Sequence, residues 1–229
     1  MGNIYTHTSV AAPKIILDLC GGTGSWSKPY ATRGGYLVTV VTLPRYDLFE
    51  VELAGGEIIL KDKLTSEEKR IPAAEVYGIL AAPTCTMFSL ARTTAKTERD
   101  FEGGLRLVQK CLQIIWYCRQ QRNSALKFWA LENPMGFLRH FLGKPPLSFN
   151  PNDYGDNYTK KTDLWGYYNL PKLSYRELTE EEKAKCAINN RDLPPLPDGY
   201  IIPDGWNASA ARRSMTSEKF AEAFYKANK

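Results

Sequence analysis

The stretch from Lys14 to Ser27 constrains this chain most. Lys14-Ile-Ile-Leu-Asp-Leu-Cys20 is a short apolar run, and Gly21-Gly22-Thr23-Gly24 follows at once. That pattern predicts a buried strand, a tight turn and then a helix, the opening of a doubly wound α/β fold. Glycines let the backbone approach a ligand closely, and the start of the next helix leaves N–H groups unpaired. Ser25 is placed to cap that helix. The spacing Asp18-x-x-Gly-Gly-x-Gly is not the dinucleotide fingerprint. An acid just before the turn suits a ligand carrying an ammonium group and would repel a pyrophosphate. The alternative is an ordinary strand–turn–helix whose glycines serve sterics alone.

Two later runs have the same form. Val76 to Ala82 stops at Pro83, and Cys85 follows in a loop of small and polar residues. Such a cysteine is either a nucleophile delivered by a buried strand or a packing residue near a strand end. Leu126 to Leu131 leads into Glu132-Asn133-Pro134. In a parallel sheet that end lies beside the end carrying Cys85, on the edge where α/β folds bind ligands. Glu132 either caps the next helix or acts as a general acid toward a bound base. Its place beside a candidate nucleophile favours the second.

The remaining segments frame these three. Tyr36 to Leu43 reads as the second strand, with Thr42-Leu43-Pro44 where an acid often holds ribose hydroxyls. Asp47 comes slightly later and would bind ribose, contact an adenine edge, or only cap a turn. Glu57 to Leu60 suggests a hairpin strand, and the charges from Lys61 to Arg70 suggest a solvated face. Thr93 to Asp100 has no periodicity and reads as a mobile loop. Phe101 to Gln121 has helical spacing through Leu105, Leu107, Val108, Leu112, Ile115 and Trp116, which puts Cys111 and Cys118 in the core. Thr179 to Glu182 is a capping box, and Arg191 to Pro203 is a proline-rich loop. Thr216 to Lys226 is an amphipathic helix with Phe220, Ala223 and Phe224 inward.

A chain of 229 residues, 43% hydrophobic and 24% charged, has the make-up of a soluble globular protein with a good-sized core. No apolar run approaches the roughly 20 residues that span a bilayer, so no membrane partner is expected. Met1 to Pro13 lacks the basic-then-apolar pattern of a signal peptide. Five cysteines (20, 85, 111, 118 and 186) form no regular framework, which argues for free thiols in a reducing cytoplasm. With no Cys-x-x-Cys pair and two histidines, His7 and His140, no metal site is expected. The net charge of +5 permits a polyanionic partner without requiring one.

In order, these stations resemble the DNA cytosine-5 methyltransferases, most closely the compact group encoded by phages and by bacteria carrying them. The likeness covers roughly three quarters of the chain. Asp18-Leu-Cys-Gly-Gly-Thr-Gly24 resembles the cofactor motif, Ala82-Pro-Thr-Cys85 through Phe88-Ser89 the nucleophile motif, and Glu132-Asn133-Pro134 the Glu-Asn motif. Tyr158 to Thr162 resembles the basic strand motif, and Asn207 to Thr216 stands where the last motif returns to the cofactor.

The resemblance implies a Rossmann-like S-adenosylmethionine-dependent methyltransferase fold, a mostly parallel sheet with helices on both faces. It implies a catalytic domain over 1–170, a small recognition or linker region over 171–205, and a C-terminal segment, 206–229, returning to the catalytic domain. Cys85 would be the nucleophile and Glu132 the acid. Asp18, Cys20, Gly21, Gly22, Thr23, Gly24 and Trp26 would meet S-adenosylmethionine from the first motif. Thr42, Leu43 and Asp47 would do so after the second strand, Ala82 and Pro83 beside the nucleophile, and Asn207 and Ser209 from the last motif. Arg92, Lys160 and Lys161 would contact DNA, in a bacterial cytoplasm if the chain is phage-encoded.

Three departures stand out. Thr84 replaces the second proline of Pro-Pro-Cys, and Lys160-Lys161 replaces a pair of alternating arginines. The recognition region, about Leu170 to Pro203, is short, so target specificity is low or a partner protein supplies it. Two other readings stay open: a non-catalytic cofactor-binding subunit, and an enzyme that modifies free nucleotide or transfers another group.

Overall fold

The computed structural model describes residues 12–90, 92–93, 97–184 and 193–229. The expectations for most of Met1 to Pro13, for Cys186 and for Arg191 lie outside the described residues. Strand β1 (Lys14–Leu19) leads through the glycine turn to a single-turn helix α1 (Lys28–Ala31), and β2 (Tyr36–Val41) follows. Three short strands come next: β3 (Glu52–Ala54), β4 (Glu57–Lys61) and β5 (Glu68–Pro72). Then come β6 (Val76–Ala81), the long helix α2 (Phe101–Arg119), β7 (Phe128–Pro134), a short helix α3 (Arg139–Leu142), β8 (Leu147–Phe149) and β9 (Thr162–Tyr167). Helices α4 (Glu180–Ala184), α5 (Ala208–Ser214) and α6 (Glu218–Ala227) complete the chain.

Six strands form one sheet in the order β2-β1-β6-β7-β9-β8. The pairs β2–β1, β1–β6 and β6–β7 are parallel, whereas β9 runs antiparallel between β7 and β8. The architecture is therefore mixed α/β with a mostly parallel sheet. Alternation along the strands sends successive side chains to opposite faces. Ile15, Leu17, Leu19, Ile79, Ala81 and Leu131 join one core with α2. Ile16, Leu80, Phe128, Ala130 and Leu164 join another with Trp26, Tyr30 and α6. Both faces are covered, which is why the parallel strands read as near-continuous apolar runs.

Several local expectations need correction. The first helix does not begin at Ser25; Ser27 stands at its N-cap and Pro29 lies in its first turn. Proline tolerates that position because its missing N–H would have had no partner. Ser25 instead accepts a hydrogen bond from the Thr216 amide at 2.9 Å, joining the glycine turn to the C-terminal segment. In α2, Trp116 is exposed and Ile114 is buried, so the buried stripe lies slightly round from the expected one, while Cys111 and Cys118 are core residues. The hairpin strand at Glu57 is the centre of a separate antiparallel sheet, β3-β4-β5. Lys160 and Lys161 precede β9 rather than lying within it. Within the stretch from Asn207 to Thr216, Asn207 caps α5 and the helix takes up Ala208–Ser214. The capping box at Thr179 forms, with reciprocal bonds between Thr179 and Glu182. No helix of the described residues is long and apolar enough to cross a membrane.

Candidate functional site

The register of the sheet brings the carboxyl ends of β1, β6 and β7 side by side. Leu19 pairs with Ala81, and Ala81 with Leu131. The next residues along each strand are therefore the glycine turn, the Cys85 loop and Glu132.

The Cys85 loop is fixed at both ends. The Ala82 amide donates to the Leu19 carbonyl at 2.9 Å. The Pro83 carbonyl accepts from Asn133 Nδ2 at 2.9 Å, and Asn133 is fully buried. Beyond Cys85, the amides of Phe88 and Ser89 both donate to the Cys85 carbonyl, at 2.9 and 2.8 Å, closing a turn. The Phe88 ring is buried between Phe101 and Phe141, and its carbonyl accepts from the Phe137 amide at 2.8 Å. The segments around Cys85 and Glu132 thus hold each other in two places. A β-carbon on Gly136 would lie 2.2 Å from the Phe88 carbonyl oxygen, so only glycine permits the second of these joins.

Electrostatics link the side chains. Burial pushes the Cys85 thiol up from its ordinary range, the Lys160 ammonium draws it down, and Glu132 pushes it up. Burial likewise pushes up the Glu132 carboxyl; Lys160 opposes this and Asp163 adds to it. Asp163, fully buried on β9 opposite Asn133, is held by the guanidinium of Arg139 and by the Ser148 hydroxyl at 2.7 Å. Cys85, Glu132 and Lys160 therefore form one coupled group. Even with the Lys160 ammonium drawing it down, the thiol stays above its ordinary range and is protonated at neutral pH.

The β1 end is built differently. Asp18 is fully buried beneath the turn and accepts from the Ser27 hydroxyl at 2.6 Å. Desolvation raises its carboxyl to about 7. A β-carbon on Gly21 would sit 2.3 Å from the Asp18 carboxyl carbon. The buried acid therefore packs directly against the turn, and only glycine at 21 permits that approach. Cys20 adopts φ of 56°, in the left-handed region, with its thiol against that of Cys111.

Above this loop, along the outer edge of β2, opens a cavity of about 570 Å³. This lies in the range of about 300–1,000 Å³ usual for small-molecule sites. Of the residues expected to hold a cofactor, Gly22, Thr23, Thr42 and Leu43 line it. Cys20, Gly21, Gly24, Ala82 and Pro83 stand near the same strand ends without lining it. Trp26 is buried in the core against Phe220 and Phe224, which corrects its assignment. Asp47 caps a short turn through the Phe49 amide at 3.0 Å, so the capping alternative holds. Asn207 caps α5 through the Ala210 amide, and Ser209 accepts from Arg213. The C-terminal residues that do line the cavity, among those described, are Gly199, Tyr200 and Ile201.

Arg45 and Lys69 also line the cavity, and sequence reasoning missed both. Arg45 stands just past β2, where α/β folds recognise ribose or its phosphate. Lys69 shares a strand face with the buried Ile71 by period-two spacing, a signal that the surrounding charges obscure. Arg92 bonds within its own loop, to Thr97 and Glu98, rather than reaching outward. Lys161 is exposed. Among the described residues no cluster of His, Cys, Asp or Glu could hold a metal ion.

Comparison with protein-family models finds no match, and neither does a search of curated proteins.

Proposed function

We propose that this protein is an S-adenosylmethionine-dependent DNA methyltransferase acting on carbon 5 of cytosine through a covalent Cys85 adduct. One observation carries the reading: Cys85 and Glu132, from the carboxyl ends of adjacent parallel strands, share one desolvated, electrostatically coupled group with Lys160. The cavity beside the glycine turn supports the cofactor. Gly22 and Gly24 take φ of 54° and 70°, which lets the turn bend tightly there. Thr42 offers a hydroxyl, while Leu43 and Tyr200 offer apolar surface. These residues would hold S-adenosylmethionine, which when bound supplies an electrophilic methyl group.

Cytosine carbon 5 is a weak nucleophile, and covalent addition is the physical remedy. The Cys85 thiol loses its proton to solvent, the remaining thiolate being favoured by Lys160, and its sulfur adds to ring carbon 6, so that electron density moves to carbon 5 and ring nitrogen 3. Glu132, desolvated and so inclined to keep its proton, donates it or a hydrogen bond at nitrogen 3. Once carbon 5 is methylated, a base removes its hydrogen and the Cys85 sulfur departs, restoring the ring. Cys85 and Glu132 cannot both reach a base inside an intact stack, so a duplex target must be flipped out.

The test is DNA containing 5-fluorocytosine, incubated with the protein and S-adenosylmethionine. A covalent protein–DNA adduct, with 5-methylcytosine among the nucleosides of ordinary DNA by mass spectrometry, is expected. Cofactor binding without adduct or product would replace this reading with that of a non-catalytic partner subunit.

A further inference from the structure

The cavity on the β2 edge is lined by two cations, Arg45 and Lys69, and S-adenosylmethionine, whose single carboxylate is outweighed by its ammonium and sulfonium, would not neutralise them. Among the described residues no aspartate or glutamate lines the cavity, whereas Arg45 and Lys69 both do. Arg45 is partly satisfied, its Nε lying 2.8 Å from Asp62 Oδ2. Lys69 is not: its Nζ donates to the Thr39 hydroxyl at 2.9 Å and, among the described residues, has no carboxylate within ion-pair distance. Half-buried and facing a second cation, its ammonium is held below its ordinary range by burial and by Arg45. A partly desolvated cation beside another cation favours an anionic partner. The rest of the wall suits a nucleoside: Val38, Val40 and Leu43 are apolar, and Tyr200 offers an aromatic ring. Arg45 follows the end of β2, the position at which an arginine rather than an acid accommodates a phosphate on ribose.

We propose that the Lys69 end of this cavity is an anion subsite that takes the phosphoryl group of a nucleoside phosphate. The base and sugar lie toward Leu43 and Tyr200, and Lys69 and Arg45 converge on the phosphate. This proposal does not rest on the methyltransferase reading. It needs neither Cys85 nor Glu132, and it would stand if no methyl transfer were found. If S-adenosylmethionine also enters by Gly22 and Thr23, the two ligands exclude each other.

The experiment is calorimetric titration of the full chain with adenosine 5′-monophosphate and with adenosine, at low salt and without methyl donor. The monophosphate is expected to bind at least about tenfold more tightly than adenosine. Lys69→Met, which keeps the apolar stem over Thr39, should bring the monophosphate to the level of adenosine and leave adenosine within about twofold. Lys69→Arg should retain the preference. Equal wild-type affinities, no binding of either ligand, or an undiminished preference in Lys69→Met would each overturn the proposal. The wild-type comparison needs no variant, so a poorly folded Lys69→Met does not shield it. A labelled single-stranded oligonucleotide separates the other source of phosphate. Its affinity should not change in Lys69→Met; if it falls while monophosphate binding persists, the subsite belongs to a DNA backbone and the nucleoside-phosphate assignment is wrong.

Discussion

The two strand-end regions of this sheet solve different problems with different parts. At the ends of β6 and β7, side chains do the work: Cys85, Glu132 and Lys160 converge in a desolvated group held by the Asn133–Pro83 and Phe137–Phe88 bonds. At the ends of β1 and β2, the backbone does it: glycines and threonines border an open cavity, and Asp18 is buried against the turn. The nucleophile and acid thus stand at one part of the sheet's edge and the open cavity at another. A two-substrate enzyme needs that division, because the group-donor pocket must be spacious while the reacting side chains must be dry and fixed.

The sharpest way to break this division is to remove the nucleophile. Cys85→Ala should abolish carbon-5 methylation, a loss of at least about 10⁴-fold for a residue on which the covalent route depends. It should leave S-adenosylmethionine affinity unchanged by calorimetry, because Cys85 does not line the cavity. Residual methylation at carbon 5 would rule out the covalent route, and lost cofactor binding would show that the two regions are one.

The second prediction tests what Asp18 does. Its folded carboxyl titrates near 7, against 3.8 ordinarily, because burial penalises the anion. The folded state therefore binds a proton more tightly than the unfolded state. The stability linked to that proton is fully present below the unfolded pKa and is lost as pH rises toward 7. Wild type should lose up to about 4 kcal/mol between pH 4 and pH 7 that Asp18→Asn does not lose. Urea unfolding at pH 4, 5.5 and 7 measures this, and parallel curves for the two proteins would mean that Asp18 is ionised and partnered.

Both regions were legible in the sequence to the extent that they follow from local pattern. The strands ending at Leu19, Ala81 and Pro134, the α2 cysteines and the last helix are set by period and by punctuating Gly and Pro. What eluded pattern was tertiary. Trp26 reads as part of the glycine motif, yet the chain returns through Phe220 and Phe224 to cover it. Tyr200 lies in a stretch with no periodic signal and faces the cavity only because the C-terminal segment crosses the glycine turn. Lys69 looked like one charge in a solvated run, and only the small sheet β3-β4-β5 turns it toward β2. Asp18 was found by its spacing, but spacing does not say whether an acid points at a ligand or under a loop.

A third prediction addresses Lys160, which lowers the Cys85 thiol against the effect of burial. Removing that cation in Lys160→Met should raise the thiol further. Transfer at pH 7 should fall about tenfold, and the rising alkaline limb of the rate profile should move up by about one pH unit. A uniform loss at every pH, with weaker DNA binding, would instead assign Lys160 to backbone contact alone.

The smallest effect separates a helix cap from a cofactor contact. Asn207 accepts the Ala210 amide at 2.8 Å, satisfying one of the N–H groups that a helix start leaves open. Asn207→Ala should cost about 1 kcal/mol of stability, and Asn207→Asp, which keeps the acceptor, should cost less. S-adenosylmethionine affinity should stay within about twofold in both, while Tyr200→Ala weakens it more, because Tyr200 faces the cavity and Asn207 does not. The reverse ranking would return Asn207 to the ligand and mean that the C-terminal segment closes over the cavity further along its length than Tyr200 and Ile201.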